Sequence, residues 1–184
     1  MTKPVPVAPA SAPAPALTTA AANWSVAAEA YDSDVVRALW RAYYTEVSDR
    51  WYLLHEGRVT EPAELEREIA AESGSDLAAP GGALLVARYG GEPAGTAGVR
   101  LLDASTAELK RVFVREDMRG RGGAAVLLAA VEDAARALGA ERVVLDTRTD
   151  LVEARALYAR HGYEETEPLT VRPYAEHWFA KVLG

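Results

Sequence analysis

A helical rhythm of apolar residues comes first: Val36, Leu39, Trp40, Tyr43 and Val47 fall at i, i+3, i+4, i+7 and i+11. That spacing predicts an amphipathic helix, with Asp32 or Ser33 as its cap. A short strand over Trp24–Glu29 precedes it. Thr60-Glu61-Pro62 has the chemistry of a second helix start, since proline suits the first turn, and Leu65 and Ile69 are its expected buried pair. After Gly81-Gly82 the pattern changes to strands. Ala83–Tyr89 and Glu92–Leu102 flank Gly90-Gly91, a pair suited to the positive φ of a tight hairpin, and Thr106–Val114 follows as a third strand. The order is that of an antiparallel meander.

The helical period returns over Gly122–Leu138, where Val126, Leu127, Ala130, Val131, Ala134 and Leu138 oppose Glu132, Asp133 and Arg136, with Gly139 just beyond. Arg142–Asp146 then holds Val143-Val144-Leu145, an apolar run suited to a strand buried on both faces. Strand, helix and strand in this length predict a right-handed crossover, so the sheet should turn parallel here. A further helix over Leu151–His161 stops at Gly162, and Tyr163–Glu165 and His177–Val182 read as closing strands. The fold class is α/β.

Before Trp24 the pattern is absent. Residues 1–22 are rich in proline and alanine and hold few large apolar side chains, so they read as a flexible leader preceding one domain over residues 23–184. The prolines also interrupt any signal-peptide core, and no stretch approaches the roughly 18–20 apolar residues of a membrane span. The expectation is a cytoplasmic protein with no membrane partner. The chain has no cysteine, which removes thiolate nucleophiles and sulfur-ligated metal sites. No histidine–carboxylate spacing suggests any other metal site. A formal net charge of −7 argues against nucleic acid as a partner.

Candidate chemistry concentrates between Val114 and Ala125. A strand ends, Arg119-Gly120-Arg121-Gly122-Gly123-Ala124 follows, and a helix begins. Glycines let backbone N–H groups turn toward a ligand, and the helix start adds unpaired donors and a positive dipole end. Arg119 and Arg121 can add charge-assisted contacts, so the loop is suited to a pyrophosphate. It lacks the Gly-Lys-Ser/Thr ending of a nucleotide-hydrolysing loop, and it comes too late in the chain for a dinucleotide fingerprint.

Arg119-x-x-Gly122-x-Ala124 matches the Arg/Gln-x-x-Gly-x-Gly/Ala signature of the GNAT superfamily of N-acyltransferases, which the chain resembles. The resemblance continues upstream through Glu108–Val114 and downstream through Glu153–Tyr163, in the family's order and spacing. It implies a mixed, mostly antiparallel sheet of about six or seven strands, flanked by helices, with a parallel crossover at the cofactor cleft. It implies acetyl-CoA as acyl donor, its pyrophosphate on the loop from Arg119 to Ala124 and its pantetheine arm along Val112, Phe113 and Val114. These would face Arg142–Asp146 across a V-shaped gap. The implied reaction transfers acetyl directly to a primary amine on a small molecule or a protein, and the family admits a homodimer. A CoA-sensing or partner-binding domain that has lost turnover is the alternative.

Direct transfer needs a deprotonated amine, yet an amine of pKa about 10.4 is under about 1% free base at neutral pH. The departing thiolate needs a proton. The resemblance puts Tyr158 in the position of the acid, beside the alternative of a packed aromatic. It puts Glu108 in the position of the base, beside a structural ion pair with its charged neighbours or deprotonation through water. Strand alternation would set Glu108 on one face with Lys110, Val112 and Val114. Leu151 departs from the family's asparagine, and Thr147 or Asp150 could compensate. For the acceptor, the fold nominates Tyr43, Tyr44, Glu46, Asp49, Trp51, Tyr174, Glu176 and His177. Tyr44, Glu46, Tyr174 and His177 stand foremost, and Tyr43 is also explained by core packing.

Overall fold

The computed structural model describes residues 23–184, so the Pro/Ala-rich stretch expected to be a leader lies outside the described residues. Strand β1 (Trp24–Ala28) is followed by helices α1 (Asp34–Glu56) and α2 (Pro62–Ala71). Strands β2 (Gly82–Tyr89), β3 (Glu92–Leu101) and β4 (Thr106–Val114) come next. Helix α3 (Gly123–Ala137), strand β5 (Arg142–Thr147), helix α4 (Val152–Arg160) and strands β6 (Glu164–Thr166) and β7 (His177–Val182) complete the order. The strands form one seven-stranded sheet in the order β1-β2-β3-β4-β5-β7-β6. Only the β4–β5 pair is parallel. This is the mixed, mostly antiparallel α/β architecture that the sequence implied. No described helix is long and apolar enough to cross a membrane.

Local chemistry sets the boundaries. Ser33 Oγ accepts the Val36 N–H at 3.2 Å, a cap worth about 1 kcal/mol, and Gly57 ends α1 at φ +67. The Gly90-Gly91 turn has φ +58 and +92, as a two-residue hairpin of this hand requires. One face of the sheet packs against α3, where Leu127, Leu128 and Val131 are buried with Val99, Ala107, Leu109 and Leu145. The other packs against α1 through Val36, Leu39 and Trp40, with Leu77, Leu84, Val86 and Phe113.

Helix α2 departs from the sequence reading. Leu65 and Ile69 are only half-buried, and no residue of α2 is buried. The helix packs chiefly on α1 and carries polar ties as well. Glu64 accepts the Glu61 N–H at 3.0 Å within a capping box, and Arg58 and Arg41 pair with Glu64 and Glu66.

Two irregularities shape the centre of the sheet. Strands β4 and β5 are paired only over Thr106↔Arg142, Ala107↔Val143 and Glu108↔Val144. Beyond that apex β4 runs on to Val114 and β5 to Thr147 without pairing to each other, while β5 keeps β7 on its other edge from Arg142 to Thr147. The second is a bulge in β4. Thr96 faces Phe113 and Gly98 faces Lys110, so Ala97 meets both Arg111 and Val112, and Arg111 takes φ +52. The extra residue reverses the alternation. Leu109, Val112 and Val114 share the core on the α3 side, while Arg111 and Phe113 face α1. Glu108 is therefore not on one face with Val112 and Val114, as simple alternation predicted. It joins Arg100 and Asp76 on the α1 side.

Candidate active site

The divergence of β4 from β5 opens a cavity of about 1030 Å³. One arm lies between the ends of β4 and α3 and the helix α4, lined by Val112–Val114, the loop before α3, Leu151, Leu157 and Tyr158. The other lies beneath α1 and α2, lined by Tyr43, Tyr44, Trp51, Glu68, Glu72 and Tyr174.

In the first arm, Gly120 has φ +74 and Gly122 has φ +85, both in the left-handed region. Gly122 caps α3 and offers no side chain to its first N–H groups. The N–H groups from Gly120 to Ala125 find no acceptor among the described residues. They form a row of partnerless donors at a helix start, the arrangement that binds an anion. The loop is fixed from behind: Trp24 Nε1 donates to the Arg121 carbonyl at 2.8 Å. A Cβ on Gly123 would meet the Trp24 ring at 2.4 Å. Gly123→Ala should therefore push the indole off the loop, costing about 1–3 kcal/mol of stability. Thermal unfolding and titration with coenzyme A check it, with weaker binding as the companion result.

The two arginines of the loop differ. Arg119 lines the cavity, its Nε donating to the Val114 carbonyl at 2.9 Å and its Nη2 held by the Glu46 carboxylate at 2.5 Å. Arg121 does not. Its guanidinium lies over the Tyr89 ring, 5.0 Å from the centroid, and its carbonyl accepts from Trp24, so both groups are engaged by β1 and β2. The sequence expected the Arg121 side chain at a phosphate, but here that side chain is not among the cavity-lining residues, and its N–H belongs to the row of donors without an acceptor.

Tyr158 sits at the junction of the arms. Its ring is buried against Tyr163 and Phe179, with centroids at 5.8 and 6.1 Å, and the residue lines the cavity. Burial raises its pKa and keeps the phenol protonated.

Glu108 does not line the cavity. It is fully buried and held by two arginines: Arg100 Nε donates to it at 2.8 Å, and Arg172 donates to its other oxygen. Burial alone would raise its pKa, but the hydrogen bonds from Arg172 and Arg100 and the charge of Lys110 outweigh it and leave it below its ordinary value. That is a poor condition for a base: the carboxylate expected in that position is here the shared partner of two arginines. Among the carboxylates that do line the cavity is Asp146, near the end of β5. Burial raises its pKa, against the opposing charge of Arg172, which contacts it at 2.9 Å. The sequence carried one signal for it: a lone acid closing an otherwise apolar buried strand.

Of the acceptor candidates, Tyr43, Tyr44, Glu46, Trp51 and Tyr174 line the cavity. Tyr43 does so while packing edge-on against Tyr44 and Phe113. His177 is not among the lining residues. Its ring nitrogens contact Glu165 at 2.5 Å and Thr149 at 3.0 Å, which ties β7 to β6 and to the β5–α4 loop. Glu176 accepts the Thr149 N–H, and Asp49 accepts the Thr60 N–H, so both serve loops. Thr147 lines the cavity beside Leu151, whereas Asp150 is occupied by Arg148. Among the described residues no cluster of histidine, cysteine, aspartate or glutamate could hold a metal ion.

The family model for acetyltransferases of the GNAT family matches residues 34–163, which contain the loop, both strands of the split and Tyr158. The chain belongs to the GNAT family. It is 35% identical over 91 residues to the uncharacterized N-acetyltransferase YjgM of Escherichia coli strain K12, covering 48% of this chain and 54% of that one. The chain thus spans about half the length of that relative. Among solved structures, the PaiA N-acetyltransferase from Thermoplasma acidophilum in complex with coenzyme A aligns with a TM-score of 0.66 at 12% identity, over 86% of this chain and 98% of that one. A GNAT family acetyltransferase from Elizabethkingia anophelis with acetyl-CoA bound aligns with a TM-score of 0.56 at 16% identity, over 88% and 99%. These likenesses bear on the fold, which is the GNAT fold.

Proposed function

We propose that this GNAT-family chain transfers an acetyl group from acetyl-CoA to a primary amine by direct attack. The observation that carries this reading is the row of partnerless N–H groups from Gly120 to Ala125, opening into the same cavity as Tyr158 and Asp146. The row suits the donor's pyrophosphate, and Arg119 adds a cation beside it. The edge of β4 beyond Glu108, which has no strand partner on the β5 side, suits the amide-bearing pantetheine arm.

Asp146 accepts one proton from the acceptor's ammonium, which frees the nitrogen lone pair. The amine nitrogen then bonds to the acetyl carbonyl carbon as the carbon–sulfur bond breaks. Tyr158 gives its proton to the leaving thiolate and is reprotonated by the proton that the new amide nitrogen sheds, directly or through solvent. The balance is one ammonium and one thioester to one amide, one thiol and one proton. No covalent enzyme intermediate is needed, in keeping with a chain that has no cysteine.

The test is release of CoA thiol from acetyl-CoA with a panel of primary amines, beside direct titration with coenzyme A. Tyr158→Phe should bind coenzyme A as the parent does and lose about 10²-fold in kcat. Unchanged turnover would remove the acid role from Tyr158. Tight coenzyme A binding with no thiol release on any amine would instead favour a CoA-sensing domain.

A further inference from the structure

On the acceptor side of the cavity a buried guanidinium leaves most of its hydrogen-bonding capacity unused. The Arg111 side chain is 4% exposed, and its Nε and Nη1 have no acceptor among the described residues. Nη2 alone is engaged, donating to Glu72 at 2.6 Å. The group is held in place by the Trp40 ring, 4.2 Å from the guanidinium carbon, and by Tyr44 at 5.7 Å. Its backbone is the left-handed residue of the β4 bulge. Burying a cation with unpaired donors and holding a non-glycine residue at positive φ both cost free energy. Tethering α2 does not require either. A surface arginine paired with Glu72 would do the same.

The geometry of the fork is informative. Nε and Nη2 form one edge of a guanidinium and together match the two oxygens of a carboxylate. Glu72 occupies one prong of that edge. Glu72 is itself 51% exposed, stands just past the end of α2, and lines the same cavity. It can therefore leave without unpacking the core. Nη1 points the other way, against Gly74, where a Cβ would come within 2.9 Å of it.

We propose that Arg111 receives a carboxylate carried by the acceptor, and that Glu72 holds that place until the acceptor binds. This rests on the acetyl-transfer reading and adds the acceptor class: an amino acid or a closely related amine that bears a carboxylate. The ammonium end then lies toward Asp146, the carboxylate on the Nε–Nη2 edge, and an apolar side chain against Tyr44, Trp51 and Tyr174. Tyr43, Glu72, Arg111 and Asp146 all line the one cavity, so a molecule bound there has both charged ends of the pocket on its walls.

The test uses the full chain with coenzyme A present. L-Phenylalanine, L-tyrosine and L-leucine are each titrated by calorimetry beside their amides and their decarboxylated amines, and the same nine compounds are assayed for thiol release from acetyl-CoA. At least one amino acid should bind about tenfold more tightly than both of its partners. Arg111 replacements can fail to fold, so Glu72→Gln carries the mutational arm. It should widen that preference several-fold by vacating the prong. Amino acids no better than their amides in all three sets would overturn the proposal, as would a preference that Glu72→Gln leaves unchanged. A carboxylate preference in binding without thiol release would sink the transfer reading alone, whereas thiol release without the preference would sink this inference alone.

Discussion

Asp146→Asn is expected to lower kcat/KM for thiol release by about 10²–10³-fold while leaving coenzyme A binding intact. The carboxamide keeps the size of the side chain and can still accept from Arg172, so the loss isolates the proton acceptor. The pH profile makes the test specific. A base must be ionised to act, so the parent's rate should rise with pH through the Asp146 ionisation, which lies above the ordinary 3.8 because burial outweighs Arg172. That limb should vanish in the asparagine variant. The charges facing Asp146 are Arg172 from the loop before β7 and Glu108 and Lys110 from β4. Arg172→Gln should therefore move the limb to higher pH, since the cation that favours ionisation is gone. Wild-type turnover in Asp146→Asn would sink the assignment.

The second large effect is on stability. Glu108→Ala should cost about 3–5 kcal/mol in denaturant unfolding, because Arg100 and Arg172 lose the buried carboxylate they share. Turnover of the folded fraction should stay within about tenfold of the parent, whereas a missing catalytic base would cost far more. The pH dependence has a definite sign. The folded-state pKa of Glu108 lies below its ordinary 4.5, so its contribution is complete above that value and is lost as pH falls through the folded pKa. The stability gap between parent and variant should narrow in acid. A gap that widens there would contradict the ion cluster as its source.

These two carboxylates also show how far the sequence was legible. Local signals were sound where the cause was local. Ser33 as a cap, Gly90-Gly91 as a hairpin, β4 and β7 at their ends, and the loop before α3 all follow from nearest neighbours in the chain. The β4 bulge had no such marker, because it rests on an arginine at positive φ and not on a glycine, and it reversed the face on which Glu108 was placed. The partners that occupy Glu108 lie 8 and 64 residues away, and nothing in the chain announces Arg172. Arg121 is similar: the groups it meets are Tyr89 and Trp24, the latter 97 residues earlier. His177 was nominated from its place on the acceptor side of the fold, yet Glu165 and Thr149 contact both its nitrogens. Leu65 and Ile69 stay half-buried because α2 packs chiefly on one neighbour, α1.

The three-pair junction of β4 with β5 works mechanically as the fulcrum of a pair of tongs. From Leu109 to Val114 the free blade of β4 is about 20 Å long at roughly 3.3 Å per residue, so a tilt of about 5° at the fulcrum swings its tip by roughly 1.7 Å. Displacements of that size are enough to spoil a reacting geometry. Substitutions at Ala107 or Val143, which touch no substrate, should therefore read out as changes in turnover at the far end of the blade. The Arg172 bridge joins Glu108 of one blade to Asp146 of the other beside that fulcrum.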